Sequence, residues 1–185
     1  MDYKKIKTGI RMLLLSLIVT ACATTFIKPA YASEILYSGT SFELSWTLDS
    51  NGLLVISGSG DFIDPSLVDK DGYDPEVKPD WLAYADEIKK AVVKAENITS
   101  CRRMFLNCSI LTSIDFTDFD TSKVTTMKSM FENCAALKTL DLSYFNTAKV
   151  TDMSQMFYSC ESIEFLDLSK MNTSNVKNIK SIFSM

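Results

Sequence analysis

VTTMKSMFENCAALKTLDLSYFNTAK, residues 124–149, is followed by VTDMSQMFYSCESIEFLDLSKMNTSN, residues 150–175, and preceded by ITSCRRMFLNCSILTSIDFTDFDTSK, residues 98–123. The three align without a gap at a step of 26 residues, and VKNIKSIFSM, residues 176–185, begins a further pass. Val124, Val150 and Val176 are in phase with Ile98, and Phe105, Phe131, Phe157 and Phe183 follow in register. Cys108, Cys134 and Cys160 come next, then the triplets Ile114-Asp115-Phe116, Leu140-Asp141-Leu142 and Leu166-Asp167-Leu168. A fixed period of this length marks units that cannot bury their own apolar face and must stack on their neighbours. The expected fold is therefore an α/β solenoid, a stack of 26-residue coils. The expected function is a binding surface made by repetition and not an active-site pocket.

Within one repeat the apolar spacing changes. Val124, Met127, Met130, Phe131 and Cys134 follow helical steps, and Val150, Met153, Met156, Phe157 and Cys160 copy them. Leu137 to Leu142 then alternates, which predicts a short strand with Leu140 and Leu142 inward and Asp141 outward. Each coil is thus expected to hold one strand of a parallel sheet and one short helix. The four methionines belong to the core in this reading. The three cysteines of common phase form a ladder of small buried hydrophobes more readily than a disulfide framework.

Ahead of the repeats, Phe42, Leu44, Trp46 and Leu48 fall on one face of an alternating segment, with Glu43, Ser45, Thr47 and Asp49 on the other. Asp49-Ser50-Asn51-Gly52 supplies a turn, and Leu53 to Ser57 returns as a second strand. Residues 33–60 are thus a β-hairpin region. A lone hairpin is marginal in water, so it is expected to cap the N-terminal end of the stack. Residues 61–97 read as an acidic connector with Pro65, Pro75 and Pro79, then an irregular capping coil from Trp81 to Glu96, with Trp81 as a plug, a short amphipathic turn at Trp81, Leu82 and Tyr84, and a strand at Ala91-Val92-Val93. Asp69, Asp71, Asp74 and Glu76 surround Gly72 but lack the spacing and distal glutamate of a calcium loop. They read as a solvated acidic loop.

Residues 1–32 have the features of a signal peptide. Lys4, Lys5, Lys7 and Arg11 precede an apolar run from Met12 to Ala21, and Ala30-Tyr31-Ala32 offers the small residues of a cleavage site. Val19-Thr20-Ala21-Cys22 also resembles a lipobox, in which Cys22 would be lipidated. Both outcomes imply export, to the medium or to the cell surface. A membrane contact is expected only through such an anchor.

The leader carries five basic side chains and one acidic one, so the remainder stands at −8 against −4 for the whole chain. An acidic domain of this size repels phosphate backbones, which argues against a nucleic-acid partner. The chain has no histidine, so the commonest general base and metal ligand is missing. Serines and threonines sit at repeated turn positions, where local hydrogen bonding accounts for them. No catalytic residues, metal ligands or cofactor are expected.

The candidate site is the outward row of strand residues. Asp115, Asp141 and Asp167 are expected to stack one above another, flanked by Thr117, Ser143 and Ser169 and by Ser113, Thr139 and Phe165. Such a row forms a partner-binding face or simply a solvated ladder.

The strand spacing L-x-x-L-x-L is that of leucine-rich repeats. The longer pattern L-x-x-L-D-L-S-x-F-[DN]-T-x-x-V-T-x-M-x-x-M-F-x-x-C resembles the 26-residue repeat of BspA-like bacterial surface proteins, from about Ile98 onward. Trp46 to Gly52 and Val55 to Gly58 are similar to the hairpin that precedes repeats in that family. The resemblance implies an exported, surface-attached protein that adheres to proteins of a host or a neighbouring cell, here as a short or truncated member. A truncated remnant without function, or an accessory domain of a secreted hydrolase, are the alternative readings. The fourth pass stops in mid-coil, and end-to-end self-association is expected from its uncovered core.

Overall fold

The computed structural model describes residues 33–63 and 77–184. The leader with Cys22 and Ala32, and the acidic loop with Asp69, Asp71, Asp74 and Glu76, lie outside the described residues.

The N-terminal unit contributes β1 (Ile35–Ser41), β2 (Leu44–Asp49) and β3 (Leu53–Ser59), each antiparallel to the next. Leu44, Trp46, Leu48, Leu54 and Ile56 are buried on its inner face, as the alternation of these segments dictates. Strand β1 was not anticipated. Its Tyr37 ring stacks on Tyr84 at 4.0 Å, but its other side chains are small or exposed and leave no alternating signature. Phe42 was expected inward with Leu44 and is 51% exposed, because it occupies the two-residue turn between β1 and β2 with φ +50°.

The hairpin does not lie across the end of the repeats. It joins them edge to edge: β3 pairs in parallel with β4 (Lys90–Glu96), and β4 pairs in parallel with β5 (Ser113–Asp115). The result is one five-stranded sheet in the order β1-β2-β3-β4-β5. Between β3 and β4, a 3-10 helix at Asp80–Tyr84 buries Trp81 completely. The Trp81 indole donates to Met104 O at 2.9 Å and packs against Phe62.

Asp61 ties this unit to the first repeat. Its carboxylate accepts Thr99 N and Thr99 Oγ1 at 2.7 and 2.6 Å and Ser100 N at 3.3 Å, while its own amide donates to Glu43.

From Ile98 onward, successive repeats lie side by side. Cys101, Arg103, Phe105 and Asn107 donate their amides to the carbonyls of Thr126, Lys128, Met130 and Glu132. Met127, Ser129, Phe131 and Asn133 donate likewise to Asp152, Ser154, Met156 and Tyr158, and the next repeat continues the pattern. The in-phase phenylalanines follow this ladder. Phe105–Phe131, Phe131–Phe157 and Phe157–Phe183 are face-to-face at 5.9, 5.5 and 5.5 Å with ring planes within 9°. Parallel bridges join Ser100 to Thr126, Thr126 to Asp152, Asp152 to Asn178 and Thr139 to Phe165.

The short helix expected in each repeat is absent among the described residues. The segment from Thr126 to Leu137 is a run of overlapping tight turns, closed by Met130 N to Met127 O, Cys134 N to Phe131 O and Leu137 N to Cys134 O. Ser129 and Asn133 adopt positive φ of 55° and 61°, as do Arg103 and Asn107 before them and Gln155 and Ser159 after. Every second amide is given to the next repeat and amides between them close turns at i−3, so the continuous i to i−4 ladder of an α-helix does not form. Turns closed at i+3 bury the same apolar positions, which is why the spacing looked helical.

Candidate functional site

Asp115 lies at the end of β5, exposed, and the in-phase Asp141 and Asp167 are exposed as well. The strand expected in each repeat is present only as β5; in the later repeats the described residues show an isolated bridge, Thr139 to Phe165, and the three aspartates share one local device. Asp115 Oδ1 accepts Thr117 N at 2.9 Å and Thr117 Oγ1 at 2.6 Å; Asp141 accepts Ser143 N at 2.9 Å and Asp167 accepts Ser169 N at 2.8 Å. An aspartate receiving the amide two residues on makes an Asx turn. At Asp115 the turn ends β5, which runs for three residues only.

They also set the charge. The hydroxyl and amide of Thr117 hold the Asp115 carboxyl below the ordinary carboxylate range, and those of Ser143 do the same for Asp141. For Asp167 the Ser169 amide leads, followed by its hydroxyl. Repulsion from Asp167 pushes Asp141 the other way but is the smallest of its influences. Charge in the row is therefore stabilised mainly by these turns, with smaller help from Lys94 at Asp115 and from Lys170 at Asp167. Among the described residues, no group of three acidic or cysteine side chains is placed to hold a metal ion.

On one side of the aspartates, Thr139 is bridged to Phe165, and Phe165 stands 70% exposed, the most exposed of the described large hydrophobics. Lys138 and Glu164 pair at 3.9 Å beside them. On the other side are the exposed Thr117, Ser143 and Ser169. Of the expected residues, Thr139 and Phe165 are paired across two repeats, and Asp141 and Asp167 are close enough to repel.

Sequence reasoning missed how far that face extends. Thr47 pairs with Val55, Val55 with Val92 and Val92 with Asp115, so the aspartate row continues across the N-terminal unit. Leu53 pairs with Lys90 and Lys90 with Ser113, which continues the row of Thr139 and Phe165 in the same way. Lys94 reaches Asp118 at 3.6 Å. The strand expected at Ala91-Val92-Val93 is the middle of β4, and the alternation from Lys90 to Glu96, with Ala91, Val93 and Ala95 buried, extends it at both ends.

Behind the face lies the cysteine ladder. All four described cysteines are free thiols. Cys134 Sγ donates to Phe105 O at 3.2 Å, and Cys160 Sγ to Phe131 O at 3.0 Å, each to the preceding repeat. Burial raises the Cys101 and Cys134 thiols, pushes Cys108 up to about 12 and the half-buried Cys160 to about 11. A thiol held neutral and hydrogen-bonded is a poor nucleophile. Met127, Met130, Met153 and Met156 are buried beside the ladder.

The family described as "Mycoplasma protein of unknown function, DUF285" matches residues 85–185, more than half of the chain. The chain belongs to the DUF285 family. This is a bacterial family of surface-associated repeat proteins. No curated protein and no solved structure matches the chain. The DUF285 match begins at Ala85, directly after the 3-10 helix, and contains β4, β5 and the whole candidate row. The strands β1, β2 and β3 precede it.

Proposed function

We propose that this protein is an exported, BspA-like surface protein whose repeats form a leucine-rich-repeat solenoid and act as a non-enzymatic protein-binding module. The observation that carries this reading is the outward face. Asp115, Asp141 and Asp167 are fixed and ionised in one row, and Phe165 projects beside them with 70% of its surface exposed. A hydrophobic anchor beside ordered charge is the usual composition of a protein-recognition patch. The partner is a basic protein on a host or neighbouring cell. Export proceeds through residues 1–32, by cleavage after Ala32 or by lipidation at Cys22, and the intact mass of the secreted protein separates the two.

The test compares the parent with Phe165→Ala and with the triple change Asp115→Asn, Asp141→Asn, Asp167→Asn. A basic protein such as lysozyme serves as the probe at low and high salt. The parent is expected to bind at low salt, with the triple variant weaker and less salt-sensitive. Equal binding by parent and triple variant would show that the row is only a solvated ladder.

A further inference from the structure

We propose that Asn51 is a latent deamidation site, shut by the folded turn between β2 and β3 and opened whenever that turn lets go. This inference is independent of the binding role above.

Of the asparagines in the chain, only Asn51 precedes a glycine. Asparagine is chemically labile, and it deamidates when the backbone nitrogen of the next residue attacks its Cγ. A following glycine hinders that attack least, since it has no side chain. The new bond between Gly52 N and Asn51 Cγ closes a five-membered imide. The Gly52 amide proton passes through water to the side-chain nitrogen, which leaves as ammonia. Water then opens the imide at one of its two carbonyls. One opening gives aspartate, and the other gives isoaspartate, whose backbone is longer by one carbon.

The fold itself imposes the vulnerable pair. Gly52 has φ +79°, and a Cβ there would meet Glu87 O at 2.6 Å, so a larger residue does not fit. The same fold shuts the reaction. Asn51 is exposed to water, but Gly52 is buried, and its nitrogen donates to Asp49 O at 3.0 Å. Asp49 Oδ1 accepts Asn51 N at 2.8 Å and Leu53 N at 2.9 Å. Gly52 O accepts Lys89 N at 2.8 Å and Lys90 N at 3.1 Å, which ties the turn to the start of β4. Imide closure must rotate the peptide between Asn51 and Gly52, and these bonds hold it on both sides. The site opens only when they break together, as in local unfolding of the hairpin.

Isoaspartate would make that opening permanent. Its extra carbon falls inside the ring of hydrogen bonds, between Asp49 and the Gly52 carbonyl. Gly52 O could not then meet Lys89 and Lys90 with Leu53 still in register on Lys90. A turn that has opened and reacted therefore cannot dock on β4 as before.

Peptide mass spectrometry of the full chain, incubated at neutral pH in buffer and in denaturant, tests this. Deamidation at Asn51 should be at least tenfold slower in the folded chain. Asp49→Ala, which removes the acceptor of Asn51 N and Leu53 N, should raise the folded rate several-fold with an unchanged circular dichroism spectrum. Asn51→Asp has the charge of the ordinary product on a normal backbone and should melt with the parent, while the purified isoaspartyl chain melts lower. Equal rates in the folded and denatured parent would overturn the proposal. An unchanged rate in a folded Asp49→Ala chain would overturn it too, since these bonds would not be what shuts the site. An isoaspartyl chain that melts with the parent would overturn the claim on β4.

Discussion

At the scale of single residues, Cys134 and Cys160 show how one position serves two purposes in each repeat. The sulfur fills apolar space between phenylalanine layers and its hydrogen satisfies the carbonyl of the previous Phe. Cys134→Ser should destabilise the fold by about 1–3 kcal/mol, since a shorter, more polar hydroxyl must find the same carbonyl in a dry site. Denaturant titration measures this. In the folded protein Cys160 should react with a thiol reagent first, and Cys101, Cys108 and Cys134 only on unfolding, because Cys160 alone is part-exposed. The aspartates make a second residue-scale prediction. Their folded pKa values are depressed, so their stabilising effect is complete above the ordinary carboxylate pKa of about 3.9 and is lost as pH falls through the lower folded values. Melting temperature should drop along that acid limb, and the triple asparagine variant should show a shallower drop.

At the scale of elements, the decisive unit is the chain of tight turns from Thr126 to Leu137. Asn133 holds a left-handed conformation, φ 61°, and its side-chain Nδ2 donates to Asn107 Oδ1 at 2.7 Å. Asn133→Ala should cost about 1–2 kcal/mol through backbone strain alone, and Asn133→Gly should cost less, as it loses only the side-chain bond. Thermal melts of the two variants settle the order. The same turns explain what could be read in advance. Burial of Val124, Met127, Met130, Phe131 and Cys134 was legible, because an apolar face announces itself through spacing. The geometry beneath it was not, since i, i+3 spacing fits a helix and a run of i+3 turns equally well. Ser129, Asn133, Gln155 and Ser159 were the available clue to left-handed backbone, and only the asparagine is a type that favours it. For β1, short and exposed side chains carried no period, while for β4 the alternation from Lys90 to Glu96 was present but its partners, fixed by register, were not.

For the whole molecule, the N-terminal unit and the first repeat are joined by two polar clasps, Asp61 to Thr99 and Trp81 to Met104. Trp81→Ala should therefore cost about 3–5 kcal/mol, because it empties a fully buried site and strands the Met104 carbonyl. A single cooperative transition shifted to lower denaturant would show that the two units fold together. Two separated transitions in the parent would show that they do not. The continuous outer face from Thr47 to Asp167 depends on that union, and its extent could not be read before the register of β3 on β4 was known.

The hydrogen bonding between repeats, which runs in both directions at matching positions of the period, bears on how such a chain can lengthen over evolutionary time. A duplicated 26-residue segment inserted after any existing one meets donors and acceptors at the same positions of the period that it offers itself, so no new kind of contact has to arise. Ahead of Ile98 the same insertion would have to part Trp81 from Met104 and Asp61 from Thr99. Copy number is thus free to drift on one side and frozen on the other. Relatives with more units should differ by whole multiples of the period downstream of Ile98, while the spacing from Asp61 to Thr99 stays constant.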